Sequence, residues 1–167
     1  MSIRQIIVKN QLYQVLKKQL DNVVYSKDID IDVVSIKKLK GLKKSIKAYI
    51  NDNEKKIDET IFESEKDKNF LIGINLLLDR INHKIDFLIG YKQNRDVEGF
   101  KNTLHLLFED VTELNSFTKE KIGLSFGIVG GILAVITGIL LAIILPIIKS
   151  KKSKAKNSKA KKWFYNV

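Results

Sequence analysis

Cysteine is absent from this chain, and proline, methionine and tryptophan each occur once. Without cysteine there is neither a disulfide framework nor a thiolate metal site, and the redox character of the compartment is left open. Pro146 is the sole proline, and glycines outside one apolar segment are few and scattered, so little interrupts long helices. No Gly-rich phosphate loop occurs, and no nucleophile is spaced with a matched base. These absences point to a non-enzymatic protein with no catalytic residues, no cofactor and no bound metal.

Histidine is scarce as well, with only His83 and His105. Asp79 stands four residues before His83 and Glu109 four after His105, so two adjacent helices would offer two imidazoles and two carboxylates at similar heights. That set is chemically adequate for a metal. However, Ile81 and Ile85 mark the core face of their helix and turn His83 toward its boundary, so ordinary surface histidines are expected.

What the chain does have is an apolar run from Ile122 to Ile148 without one charged residue. At about 1.5 Å per residue it reaches roughly 40 Å, against a hydrocarbon core of about 30 Å. A single transmembrane helix over 122–148 is therefore expected, and with it a single-pass membrane location. Within it Gly123, Gly127, Gly130, Gly131, Ala134, Gly138 and Ala142 recur at steps of three and four and share one face. Small residues let membrane helices approach until their backbones pack, so this face predicts a homo-oligomer or pairing with another membrane helix. Ile132, Ile136, Ile139, Leu140 and Ile143 form a bulky ridge on the other side, expected to meet lipid. The small-residue stripe has no charge, which argues against a wetted ion pathway.

Directly after the run come Lys149, Lys151, Lys152, Lys154, Lys156, Lys159, Lys161 and Lys162, then Trp163, Phe164 and Tyr165. Residues 149–167 hold eight lysines and no acid, so they carry most of the formal +11 and leave +3 on the other 148 residues. This reads as a disordered, Lys-rich tail that contacts anionic lipid headgroups, with Trp163 at the interface. Nucleic acid, whose phosphates spaced lysines could neutralise, is the less favoured partner, because the tail emerges directly from a bilayer and lysine without arginine argues against specific base readout. The lysine excess keeps the tail cytoplasmic and places the N-terminal domain outside. Against that orientation stands the opening Met1–Asn10 segment, whose short apolar run does not read as a cleavable secretory signal.

Residues 1–121 read as one helical domain, an antiparallel bundle of about four helices, with an extended coiled-coil assembly as the alternative. Ile3, Ile6, Ile7, Tyr13, Leu16 and Leu20 mark a first helix over 2–25. Asp32 is the expected N-cap of a second, carrying Val33, Ile36, Leu39, Ile46, Ile50, Ile57 and Ile61. Leu71 to Leu88 give a third, stopped near Gly90, and Asp96 opens a fourth through Leu114. Ile36 to Ile50 also combines an apolar stripe with Lys37, Lys38, Lys40, Lys43, Lys44 and Lys47, the pattern of a membrane-surface helix as well as of a bundle helix with a solvated face.

The fold class expected is thus all-α with one C-terminal membrane helix and a basic tail. The function expected is a helical interaction, scaffold or envelope component. A membrane-permeabilising effector or holin-like protein is the alternative, in which the segment at 36–50 leaves the bundle and inserts.

Overall fold

The computed structural model describes Gln14, Lys17, Lys18, Phe62 and residues 29–59, 64–118 and 126–164, with backbone alone for Phe126 and for residues 159–164. The expected first helix lies outside the described residues, apart from Gln14, Lys17 and Lys18, which are helical. Among the described residues the chain is all helical, with no strand.

A short 3-10 turn, Ile31–Val33, comes first, and its N-cap is Asp30, whose carboxylate accepts from the Asp32 N–H. Helix α1 follows at Ile36–Glu59, where the Ser35 hydroxyl accepts from the Lys38 N–H at 3.3 Å. Asp32 is therefore not the cap expected of it, because the chain turns once more before the helix starts. Helix α2 spans Glu65–Gln93 behind an N-cap at Ser64, with Glu65 and Asp67 in its first turn. It runs through Gly90, the stop expected from sequence, and ends at Asn94 and Arg95, the latter at φ 56°. Leu88 and Ile89 are buried just before Gly90, and their packing outweighs the roughly 1 kcal/mol that a helical glycine costs.

Asp96 caps α3, Val97–Phe117, as expected: its carboxylate accepts from the Gly99 N–H at 2.8 Å. Gly99 is required there, since a Cβ would sit 2.6 Å from the Tyr91 ring. Helix α3 returns along α2. Arg80 bonds Glu113 at 2.6 Å, Lys84 bonds the Leu106 carbonyl at 3.2 Å, and Phe70 and Phe117 meet edge to face at 5.0 Å. Whether α3 continues into the apolar run falls on residues 119–125, outside the described residues.

The apolar run is one rod: α4, Phe126–Ile139, a π-helical turn at Leu140–Ile144, and α5, Leu145–Phe164. The π turn has an identifiable cause in Pro146, which offers no N–H and whose ring presses on the carbonyl four residues back, so the backbone widens ahead of it. Helix α5 carries the lysine segment to Phe164, where a disordered tail was expected. Lysine and alanine are good helix formers, no breaker follows Pro146, and cations suit a helix C-terminus.

The core runs through every element. Ile46, Leu78, Ile81, Ile85, Phe100, Leu104 and Val111 are fully buried, and α4 packs on both α1 and α3. One buried polar pair bridges α1 and α2, where the Asn53 amide donates to Asn75 at 3.0 Å.

Candidate functional site: a glycine-walled slot between α1 and the apolar helix

Within the rod, Gly127–Ser158 is long and apolar enough to cross a membrane. Just over half of its most apolar stretch is buried inside the protein, as the core helix of a soluble protein would also be. The burial is not distributed as the sequence suggested. Ile132, Ile136, Ile139, Leu140 and Ile143, the ridge expected to face lipid, are each at most 2% exposed and belong to the common core. A bulky ridge is the best core-former whatever surrounds it, and here protein covers it.

The small-residue face is the edge of this contact, and α1 lies over part of it. The Tyr49 hydroxyl donates to the Ile128 carbonyl at 2.8 Å. A Cβ on Gly131 would strike the Tyr49 ring, and one on Gly138 would stand 2.8 Å from Leu42 Cδ1. Tyr49 lies level with Gly131 and Leu42 with Gly138, so α1 and the rod run in opposite directions. Gly131 and Gly138 thus serve a close approach within one chain, and Ala134 and Ala142 line the gap beside it. Gly127 is exposed, Gly130 is half-buried, and Gly123 lies outside the described residues.

Between the two helices lies a groove of about 550 Å³ that opens to the surface. Lys38, Gly41, Leu42, Ser45 and Tyr49 form one wall, and Gly131, Ala134, Val135, Gly138, Leu141 and Ala142 the other. Ser45 satisfies its hydroxyl on the Gly41 carbonyl at 3.1 Å, and Tyr49 satisfies its own on Ile128. Lys38 is the single charged residue of the lining, and no ion pair engages it among the described residues.

Burial pushes the Tyr49 hydroxyl up from 10.0 to about 12. Because the folded value is the raised one, the contact is at full strength below pH 10 and is lost as pH rises through about 12. An ultraviolet titration should accordingly show a late tyrosine step near 12, and Tyr49→Phe should remove it. A late step that survives Tyr49→Phe would mean that the ring is not seated as described.

The lysine segment is also held in place. Lys154 pairs with Asp30 at 3.0 Å, and the Ser150 hydroxyl donates to the same carboxylate at 3.1 Å. The Lys154 hydrogen bond is the main reason that Asp30 stays below its ordinary value. This clip fastens the cap of the 3-10 turn to the helix just beyond the apolar run. Lys149, Lys151, Lys152 and Lys156 are exposed on α5, whereas the side chains of Lys159, Lys161, Lys162 and Trp163 lie outside the described residues.

The two histidines stay apart from any such site. His83 Nδ1 lies 2.9 Å from the Asp79 carbonyl, and His105 Nε2 lies 3.5 Å from Glu109, each along its own helix. Among the described residues no group of three or more His, Cys, Asp or Glu is placed to hold a metal. Sequence reasoning singled out the stripe at Ile36 to Ile50 and the glycine face separately, but not that each is the other's partner. The shared signal was glycine on both, with Gly41 unexplained by any turn.

Comparison with protein-family models, with curated proteins and with solved structures returned no match.

Proposed function

We propose that this chain is a non-enzymatic, single-pass membrane protein whose helical part is an interaction or scaffold module. In this reading the apolar helix is sheltered by α1 and α3 before it enters a bilayer. The observation that carries it is the run Ile122 to Ile148, uncharged throughout and leading directly into eight lysines. The sheltered and spanning states are distinct. Lys37, Lys40, Lys44 and Lys47 are exposed on α1, and taking any one of them to mid-bilayer costs about 2.5–3.5 kcal/mol. Insertion therefore separates the rod from α1, and the glycine face that α1 leaves becomes available to another membrane helix or a second copy of the chain. The lysines of α5 then meet anionic headgroups, with the tail cytoplasmic and the bundle domain outside. On α2, Leu76 and Phe87 are 69% and 58% exposed and offer apolar contacts to a partner.

Gly127 tests association, since it is exposed. Gly127→Ile should leave the chain in the pellet after alkaline carbonate extraction of membranes while abolishing chemically cross-linked oligomers. Wild-type chain released by carbonate would overturn the anchor, and unchanged cross-linking in the variant would overturn association through that face.

The second reading, a membrane-permeabilising effector, is favoured by one observation: the helix that covers the glycine face is the lysine-rich, amphipathic α1. Separation would free both at once. Dye release from anionic vesicles distinguishes this from the scaffold, which leaves them sealed.

A further inference from the structure

The slot between α1 and the rod is polar at one end only. Ser45 and Tyr49 spend their hydroxyls on the protein's own carbonyls, so their contribution to a ligand is apolar surface. Lys38 alone offers a charge, and by the opposed register of the two helices it lies level with Ala142. That end faces the Lys149–Lys156 stretch, to which Asp30 is clipped. From Lys38 to Tyr49 the slot is about 16 Å long. Half of a hydrocarbon core of about 30 Å is nearly the same depth.

Gly41 is the second observation. It is the sixth residue of α1, inside the helix, where glycine is unfavourable, and it has no positive φ to require it. A Cβ there would meet nothing within 4 Å. Gly131 and Gly138 are explained by Tyr49 and Leu42, whereas Gly41, like Gly73 and Gly90, has no protein neighbour at its Cβ; of these three it alone lines the slot, whose wall it keeps open.

A molecule that fits is apolar along its length and anionic at one end. We infer that the slot binds one acyl chain of an anionic phospholipid, with the headgroup phosphate on Lys38 and the chain lying along Gly41, Ala134 and Gly138 toward Tyr49. A mostly apolar groove of this size with a single convergent charge is what such recognition requires. The inference rests on the membrane reading for the source of the lipid. It gives the sheltered state a lipid contact before insertion, made at the very contact that insertion breaks.

The test uses the full-length chain purified in mild detergent and incubated with phosphatidylglycerol or phosphatidylcholine, with bound lipid counted by native mass spectrometry. One phosphatidylglycerol per chain is expected, with at least tenfold less phosphatidylcholine. Gly41→Leu should remove it by filling the slot without a clash. Lys38→Glu should lower retention about tenfold and Lys38→Arg should preserve it. Gly73→Leu, another helical glycine with open space at its Cβ, should change nothing. Ala134→Leu fills the slot from the opposite wall and decides the matter if Gly41→Leu loses helicity.

Equal retention of both lipids, retention unaffected by Gly41→Leu and Ala134→Leu, or a second chain in place of lipid would each overturn the inference. Vesicle flotation of the same samples reads the membrane anchor separately. A chain that floats without selective retention loses the slot alone, and one that retains lipid but never floats loses the anchor alone.

Discussion

Asp110→Ala is expected to lower the unfolding free energy by about 3–5 kcal/mol, the usual result of removing one partner from a buried ion pair. Asp110 is only 4% exposed, yet it lies in the α2–α3 interface with two cations on it. Lys84 Nζ stands 2.5 Å away and Arg80 2.9 Å away. Lys84 is the one that suffers, because its side chain is 19% exposed and turns inward, whereas Arg80 at 52% reaches water and also holds Glu113. Alanine at 110 would leave the Lys84 ammonium with only the Leu106 carbonyl. Glu113→Ala removes an exposed partner and should cost no more than about 1 kcal/mol. Replacing Lys84 and Asp110 together by Met and Leu should restore most of the loss, since the expensive state is one buried charge without the other. Urea denaturation followed by far-ultraviolet circular dichroism measures all of these. Equal losses for Asp110→Ala and Glu113→Ala would show that Asp110 is not buried as described.

That interface was legible from sequence in outline. Leu71, Ile74, Leu78, Ile81, Ile85 and Leu88 recur at three- and four-residue steps, and so do Phe100, Leu104, Leu107, Val111 and Leu114, and every one of them is buried. Asp96 was legible as a cap because a carboxylate before an apolar-periodic stretch has one local use. Asp32 and Gly90 misled for a related reason: each signal was real, but a stronger one stood a few residues away. Asp30 and Ser35 divide the capping between a 3-10 turn and α1, and Arg95, in the left-handed region, supplies the reversal that Gly90 seemed to offer. The lysine segment was read by charge, which says nothing of backbone, and its helix propensity decided the outcome.

The slot shows a different limit. Periodicity tells which residues share a face, and Gly127, Gly131, Ala134 and Gly138 do share one, but it does not tell what covers that face. A glycine face invites a partner helix from the same chain as readily as from another. The bulky ridge at Ile132, Ile136 and Ile143 invites a core as readily as lipid. Gly41 could be read only as a weak point in a helix until the opposing wall was in place. Three-dimensional pairing, not composition, turned it into a feature.

The same pairing makes Gly131 the most sensitive position on the rod. Gly131→Ile is expected to unseat Tyr49, because even the first added carbon strikes the edge of the Tyr49 ring and stands 2.8 Å from its hydroxyl oxygen. The cost is overpacking of about 1–3 kcal/mol plus about 1 kcal/mol for the lost bond to Ile128, some 2–4 kcal/mol in all. Helix α1 should nonetheless stay on α2, where Lys43 holds Asp86 at 2.5 Å and Asn53 holds Asn75. The predicted outcome is therefore an opened slot with α1 retained, not a general loss of helix. Gly138→Ala should do far less, since it displaces only the end of the flexible Leu42 side chain. Because the chain has no cysteine, Ser45→Cys with Ala134→Cys, bridged by a flexible bifunctional maleimide, reports on the slot without background. Cross-linking should fall sharply when Gly131→Ile is added and the late tyrosine ionisation near 12 should return toward 10, while far-ultraviolet ellipticity is kept. If cross-linking and the tyrosine titration are both unchanged, α1 does not lie on the glycine face, and the face is free for another helix from the outset.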